Sequence, residues 1–248
     1  MLIDAKTIEG FKIQATDGAI GEVHDILFDD VEWTVRYFVV NTGSWFNRGQ
    51  VLLSPESVSE IDRDGRSLVV ALKRQQVKDS PDVSSDLPVS RQEEERLRSY
   101  YAWPVYWGGT GLGDGLGGAI SPAVLPSAAA VWTLRASDRA DGAEVPPPPA
   151  RESEPPGDPH LHSTREIRGY GIEAMDGEIG HVEDLLVEDG HWAVHQLVVD
   201  TKNWWPGRKV AVSTYLIRDV RWSDREVSVN ISRDELKQSP EAASLHAG

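Results

Sequence analysis

The chain has 248 residues, no cysteine and a formal net charge of −15, from 25 basic and 40 acidic residues. The lack of cysteine excludes disulfides, thiolate metal sites and cysteine nucleophiles, and the acidity argues against direct nucleic-acid binding, which needs a basic surface. The first residues lack the basic and apolar regions of a signal peptide, and no apolar run approaches the roughly 18 residues that cross a bilayer. We therefore expect a cytoplasmic protein without membrane insertion, peripheral at a membrane only through a partner.

An internal repeat organises the sequence. Residues from Gly10 onward match residues from Gly169 onward without a gap, at an offset of 159 (169 − 10), as far as Ser80 and Ser239. This register predicts a tandem duplication, with a first domain at residues 1–81, a linker at 82–163 and a second domain at 164–248. The repeated residues to which we assign structural roles are Gly10, Asp17, Gly18, Gly21, Trp33, Trp45, Gly169, Asp176, Gly177, Gly180, Trp192 and Trp204.

Each repeat has the pattern of short β-strands. In chain order, Asp17-Gly18 predicts a hairpin, because these residues tolerate the positive φ angles that tight hairpin turns require. The apolar and β-branched runs that follow predict strands at Ile20–Leu27, Trp33–Val40, Val51–Leu53, Val58–Ile61 and Leu68–Leu72. About six short strands in each repeat, without a long helical period, predict an all-β fold of two small six-stranded barrels.

The segment between the repeats differs from them in composition. Ser90 and Glu93 form a capping-box pattern, which predicts a short helix at about residues 90–100. The aromatic run from Tyr100 to Trp107 is too apolar for a free linker, so we expect it to pack on a barrel or to contact a partner. Beyond it, a Gly-rich tract at 108–118 and prolines at 146–149 predict a long flexible linker.

Three motifs occur in both repeats: Gly-x-x-Ile, Asp-Gly-x-Ile-Gly-x-Val-x-Asp, and Trp-x-Val-x-x-x-Val-Val followed by a Thr-x-x-Trp loop. They resemble the PRC-barrel, a domain shared by the cytoplasmic part of the photosynthetic reaction-centre H chain and the C-terminal half of the ribosome-maturation factor RimM. Residues 88–104 resemble the tail of stand-alone bacterial members. The resemblance implies a six-stranded barrel that acts as an assembly or interaction module without enzymatic chemistry. The first repeat departs from the pattern at Asn47-Arg48-Gly49, where we expect a differently shaped loop.

Loop aromatics flanked by basic residues are the main candidates for binding a partner, because Trp and Arg dominate interface hot spots. We expect Trp45 and Trp204 to close a barrel end, and the next residues, Phe46 and Trp205, to be exposed. The candidate partner-binding residues are Phe46, Arg48, Trp205, Arg208, Lys209, Trp103 and Trp107.

Catalytic and metal-binding patterns are weak. On a predicted strand, His191 and His195 would be roughly 13 Å apart, at about 3.3 Å per residue, which is too far for one zinc. His160 and His162 lie in a Pro-rich tail, and the acid pairs at 29–30 and 188–189 have the pattern of turn residues. No Ser-His-Asp set or phosphate-binding loop stands out. We expect no metal, no cofactor and no enzyme activity.

The sequence thus predicts a non-catalytic scaffold or adaptor that binds a protein partner or itself, as a homo-oligomer or through intramolecular pairing of the barrels. Two alternatives stay open. One is a ribosome-assembly factor similar to RimM that binds a ribosomal protein, since an acidic barrel suits a basic partner. The other is a peripheral subunit of a membrane complex similar to that of the reaction-centre H chain.

Overall fold

A computed structural model describes residues 1–43, 49–81, 89–104, 158–201 and 208–237. All of these described residues belong to one compact unit. Below, residues 1–104 are the first half and residues 158–237 the second half.

Fourteen strands form two sheets among the described residues. The first half supplies β1 (Leu2–Asp4), β2 (Lys12–Ala15), β3 (Gly18–Asp29), β4 (Thr34–Asn41), β5 (Gln50–Leu53), β6 (Val58–Asp62) and β7 (Ser67–Val70). The second half supplies β8 (Leu161–Ser163), β9 (Gly171–Ala174), β10 (Gly177–Glu188), β11 (Val194–Asp200), β12 (Lys209–Ser213), β13 (Ile217–Arg221) and β14 (Glu226–Val229). The predicted all-β class is confirmed.

The two sheets have the same strand order. It is β5-β4-β3-β2-β7-β6 in the first and β12-β11-β10-β9-β14-β13 in the second. Neighbours are antiparallel except β2 with β7 and β9 with β14, which are parallel. Adding 159 to the bounds of β2 and β3 gives those of β9 and β10, so equivalent strands occur at the offset of the sequence repeat.

The halves exchange their first strands. β1 pairs with β10 of the second half, where Leu2 lies opposite Glu188 and Asp4 opposite Leu186. In return, β8 pairs with β3 of the first half, where Leu161 lies opposite Asp29. Each sheet therefore has seven strands, six of its own and one from the other half. The predicted second domain began at residue 164 and left out β8, which lies 159 residues after β1.

Five α-helices and two short 3-10 helices, Pro55–Ser57 and Thr214–Leu216, accompany the strands in the described residues. The α-helices are numbered in chain order. They are α1 (Ala5–Ile8), α2 (Arg74–Asp79), α3 (Arg91–Tyr101), α4 (Thr164–Ile167) and α5 (Arg233–Leu236). α3 is the helix that the capping box predicts, and it covers the outer face of the first sheet through Leu97. Beneath it, the Tyr37 hydroxyl donates to Glu94 (2.8 Å) and accepts from Arg98 (2.9 Å), so the polar groups that α3 buries are bonded to the sheet.

The start of α3 offers a test of this packing. The Ser90 hydroxyl accepts from the Glu93 amide (3.2 Å), and the Glu93 carboxylate accepts from the Ser90 amide (3.0 Å). We expect Ser90→Ala to destabilise α3 by about 1 kcal/mol, because the Glu93 amide at the start of the helix loses its side-chain acceptor. Hydrogen exchange of the α3 amides measures this loss, and Ser90→Asp, which keeps an acceptor, is the matched control. Equal protection in Ser90→Ala and wild type would contradict the assignment.

One apolar core extends through both halves. Buried side chains of the first half, such as Ile26 and Phe38, belong to the same cluster as Leu185 and Val199 of the second. Because burying a large apolar side chain is worth about 1.5–3 kcal/mol, this shared core holds the halves together. The intramolecular pairing that the sequence left open is therefore present in the structure.

Two local predictions need correction. The hairpin forms, but its loop residues are Thr16 and Asp17, because Gly18 already pairs with Ala15 as the first residue of β3. The Asp17 carboxylate instead accepts from the Arg74 amide at the start of α2 (2.7 Å). Trp33 was predicted as the first residue of a strand, but it precedes β4, since its φ of 50° is left-handed and not extended.

Candidate interaction surface

Two tryptophans connect the halves through their backbones. Trp33 and Trp192 both have left-handed φ angles, 50° and 59°. The Val35 amide donates to the Trp192 carbonyl (2.9 Å), and the Val194 amide donates to the Trp33 carbonyl (2.6 Å). This reciprocal pair forms a short antiparallel bridge between β4 and β11. The left-handed conformation costs about 1–2 kcal/mol per residue, which the bridge and the ring contacts offset.

The rings of the two tryptophans are packed. Trp192 is 6% exposed and meets Phe38 of the first half edge-on, with 4.9 Å between ring centroids. Trp33 is half-buried and stacks on Phe28 at 5.5 Å. Edge-on and offset stacks are the favoured aromatic geometries. The Trp192–Phe38 contact therefore helps to hold the halves together, and the Trp33–Phe28 stack fixes Trp33 within the first half.

A carboxylate of the first half is bound by three groups of the second. Asp30 accepts from the Trp222 indole N–H (2.8 Å) and contacts His160 Nδ1 (3.0 Å) and His162 Nε2 (3.3 Å). The His162 ring lies flat on Trp222, with 3.4 Å between centroids. Burial raises the pKa of Asp30, but the bonds from His162, Trp222 and His160 together outweigh it, and the pKa is lowered.

The equivalent carboxylate of the second half is Asp189, 159 residues after Asp30. It forms an ion pair with Arg63 of the first half, and the Met1 ammonium group lies 2.7 Å from its Oδ1. Burial again raises the pKa, and these two cationic partners lower it below its usual value. The two junctions thus have the same plan, a carboxylate of one half bound by the other, with different donors.

A groove of about 820 Å³ runs along one of these junctions. One wall is β6, the other is the turn at 189–192 of the second half, and the start of β4 completes it. Four consecutive residues of β6, Val58 to Ile61, line the groove. Alternate side chains of a strand point to opposite faces, so a groove lined by consecutive residues runs along the strand's edge.

The charges of the groove are sorted by depth. The guanidinium group of Arg98 is 2% exposed and lies 3.6 Å from Glu56, and that of Arg36 is 13% exposed and lies 3.6 Å from Asp29. The carboxylates lie nearer the solvent, since Glu56 is 41% exposed and Glu60 is exposed. The groove therefore presents negative charge to the solvent.

Comparison with known proteins identifies the first half. Residues 2–76 match the family model of the PRC-barrel domain, from β1 into α2. The chain contains a PRC-barrel domain. No curated protein shows significant similarity to the chain. PRC-barrel domains generally lack catalytic chemistry and serve protein interaction. The resemblance noted in the sequence is thus confirmed for the first repeat, and the second half shares the strand order of this PRC-barrel domain.

Most of the predicted partner-binding residues lie outside the described residues. These are Phe46, Arg48, Trp205 and Trp107, together with the structural candidates Trp45 and Trp204. Of the others, Trp103 stacks on Tyr101 at 4.2 Å and is half-buried. Lys209 is exposed and donates to Glu183 (2.6 Å), and the Arg208 carbonyl accepts from Thr201. Their binding role stays a prediction.

The predicted structural glycines occupy demanding positions. Gly10, Gly18, Gly169 and Gly177 have φ angles of 82°, 137°, 86° and 125°. Asp176 mirrors Asp17 of the PRC-barrel domain, since its carboxylate accepts from the Arg233 amide at the start of α5 (2.9 Å). Each aspartate thus joins its hairpin to the helix that follows the last strand of its own half, β7 or β14.

The histidines are placed differently from the prediction. Of His191 and His195, only His195 lies on a strand. The turn before that strand brings His191 back, so that His195 and His191 contact the same Glu188 oxygen, at 3.0 and 3.7 Å. The argument from an extended strand was wrong, because His191 precedes β11. Within the part of the chain that the structure describes, no three His, Asp or Glu side chains are arranged to hold a metal ion. No described helix is long and apolar enough to cross a membrane.

The members of the acid pairs have different roles, since some stabilise a turn and others bind the other half. Asp29 accepts from the amides of Val31 and Glu32 (2.9 and 2.7 Å), as expected of a turn aspartate. Its neighbour Asp30 contacts the second half instead. Asp30 and Asp189 are equivalent positions in the repeat, and so are their partners His160 and Met1, and Trp222 and Arg63, at the same offset of 159. The repeat alone does not show that each carboxylate is bound by the other half, because such contacts depend on how the halves pack.

Proposed function

We propose that the chain is a non-catalytic scaffold in which two PRC-barrel-like halves, joined as one body, bind a protein partner. The observation that carries this proposal is the reciprocal exchange of β1 and β8 across a shared core. It joins the halves into one compact unit and creates, at the junction, surfaces that a single domain would not have. The exchange also supports a duplication of the PRC-barrel domain in residues 161–237.

The polar groups at the groove support a binding role over a catalytic one. Three residues with hydroxyl groups line the groove. Thr34 donates to the Glu32 carbonyl (3.1 Å), Ser59 donates to the Val69 carbonyl (3.1 Å), and Ser54 accepts from the Glu56 amide (3.4 Å). The exposed His191 approaches Glu188. A nucleophile needs its hydroxyl directed at a general base, and these hydroxyls are directed elsewhere.

Crosslinking in the native cell tests the scaffold role. A photo-crosslinking amino acid is placed at position 46, 60, 103 or 205 of the full chain, and the captured proteins are identified from soluble and membrane fractions. We expect a defined partner at one or more positions. Phe46→Ala/Trp205→Ala serves as the control for the loops. Recovery of the chain alone from every position would overturn the adaptor role and leave self-assembly.

The captured partner also separates the two narrower versions of this function. The net charge of −15 favours a basic partner. Capture of a ribosomal protein, with co-sedimentation on small-subunit precursors, would support an assembly factor similar to RimM. Capture of an integral membrane protein in the membrane fraction would support a peripheral subunit similar to the reaction-centre H chain.

A further inference from the structure

The groove at the junction has an edge strand as one wall. Among the described strand pairs, β6 pairs only with β7. Its other edge faces the groove, which is lined by Val58, Ser59, Glu60 and Ile61 in succession. A strand edge presents backbone N–H and C=O groups that can pair with another extended chain. Five residues of β6 at about 3.3 Å each give a length of roughly 16 Å, which suits a peptide of equal length.

The side chains of the groove indicate which peptide would fit. Pro55, Val58, Ile61 and Trp192 supply apolar surface. The arginines are buried against acids or carbonyls, whereas Glu56 and Glu60 are exposed and Asp189 is partly so. A bound strand would therefore gain from apolar residues toward the floor and from cationic residues toward the rim, because complementary charge gives specificity and a fast encounter.

We propose that this groove binds an extended basic segment of a partner protein, which adds as a strand to the edge of β6. The inference rests on the proposed scaffold role and names the chemistry of its partner. The segment alternates apolar residues with Lys or Arg.

The second half provides a matched comparison. The residues equivalent to Glu56 and Ser59 are Tyr215 and Arg218, and the residue equivalent to Asp62 is Arg221. β13 is likewise an end strand of its sheet, so it offers the same backbone with more positive charge. A basic peptide should therefore bind at β6 and not at β13.

Fluorescence anisotropy on the full chain tests the proposal with labelled peptides. The probe is Lys-Val-Lys-Val-Lys, and we expect saturable binding below about 1 mM at about 0.15 M salt. A peptide with proline at the centre removes a ladder hydrogen bond and should bind at least about tenfold more weakly. Glu60→Lys should weaken binding by a similar factor, and Asp219→Lys, the equivalent change on β13, should leave it within about twofold.

Hydrogen exchange with bound peptide locates the binding site. The amides of β6 should gain protection, and those of β13 should not. If the proline peptide bound as tightly as the probe, or if Asp219→Lys weakened binding as much as Glu60→Lys, the peptide would be attracted only by the overall charge. Either result would overturn the proposal. Absence of binding would overturn it too, and then the charges of β6 would serve only to guard an edge against aggregation. A partner crosslinked at position 46, 103 or 205 would in that case leave the scaffold role intact.

Discussion

Gly21→Ala is expected to destabilise the protein by about 3 kcal/mol or more. Gly21 lies in β3 where the end of β4 crosses it, and an added Cβ would overlap the Asn41 carbonyl oxygen and lie 2.8 Å from its carbon. Because the obstacle is backbone of a paired strand, relief requires the two strands to separate, which breaks part of their ladder. Urea unfolding at neutral pH measures the effect.

Gly180→Ala should cost at least as much. Its Cβ would overlap the equivalent carbonyl, that of Asp200, and its φ of 142° is unfavourable for alanine. Two other glycines are matched controls. Nothing lies within 4 Å of a Cβ at Gly10, whose φ of 82° alone should cost about 1–2 kcal/mol. Gly171 has neither a positive φ nor an atom within 4 Å of an added Cβ, so Gly171→Ala should be neutral or slightly stabilising. Equal losses for Gly21→Ala and Gly171→Ala would contradict the close approach.

The glycines also show what the sequence could predict. Their repetition at fixed spacing indicated positions that need glycine, and the apolar and β-branched runs located β3 to β7 to within a few residues. These signals are local, since each depends on the fit between a residue and its own strand or turn. The capping box at Ser90 is local in the same way, and it located α3 correctly.

The exchanged strands could not be predicted in this way. β1 and β8 have three residues each, too few to show a period, and Leu2 pairs with Glu188, far away in the sequence. What makes these segments strands is the edge that the other half offers. The groove escaped prediction for the same reason, because its walls, β6 and the turn at 189–192, come from different halves.

Replacing Asp184 should stabilise the protein at neutral pH and leave it unchanged in acid. The Asp184 carboxylate is buried in β10 and accepts from the amides of Leu185 (2.9 Å) and Lys6 (3.3 Å). Burial, and then the negative charge of Asp4, raise its pKa from 3.8 to about 6, against the lowering effect of the Leu185 and Lys6 amides and of the Lys6 charge. Asp4 belongs to β1, the exchanged strand, so this carboxyl group lies where that strand joins the second half.

The equivalent carboxylate of the first half has different neighbours. Asp25 accepts from the hydroxyls of Ser163 (2.6 Å) and Thr164 (3.4 Å) and from the Ile26 amide (2.7 Å). Ser163 is the residue equivalent to Asp4. A serine at this place donates a hydrogen bond to the carboxylate, whereas an ionised aspartate repels it. The repeat conserved the acceptor but changed the residue that faces it.

The sign of the pH effect follows from the raised pKa. Between pH 3.8 and about 6 the folded protein keeps a proton that the unfolded chain releases, so its free energy of unfolding falls as the pH rises. Above about pH 6 the folded protein carries the full free-energy cost of an ionised, buried Asp184 carboxylate. It is at most about 3 kcal/mol, since one pKa unit corresponds to about 1.4 kcal/mol. Asp184→Asn keeps an acceptor oxygen and cannot ionise, so it should be more stable than wild type by up to this amount at pH 7 and about equal at pH 4.

Urea unfolding of wild type and variants from pH 4 to pH 8 measures the difference. Asp25→Asn is the matched control and should retain the fall in stability between pH 4 and 6, because Asp184 is still present. Asp4→Ser, which copies Ser163, should lower the pKa of Asp184 and recover part of the stability of Asp184→Asn at pH 7. If Asp184→Asn shows the same pH dependence as wild type, the carboxyl group at this strand exchange is not the group that titrates.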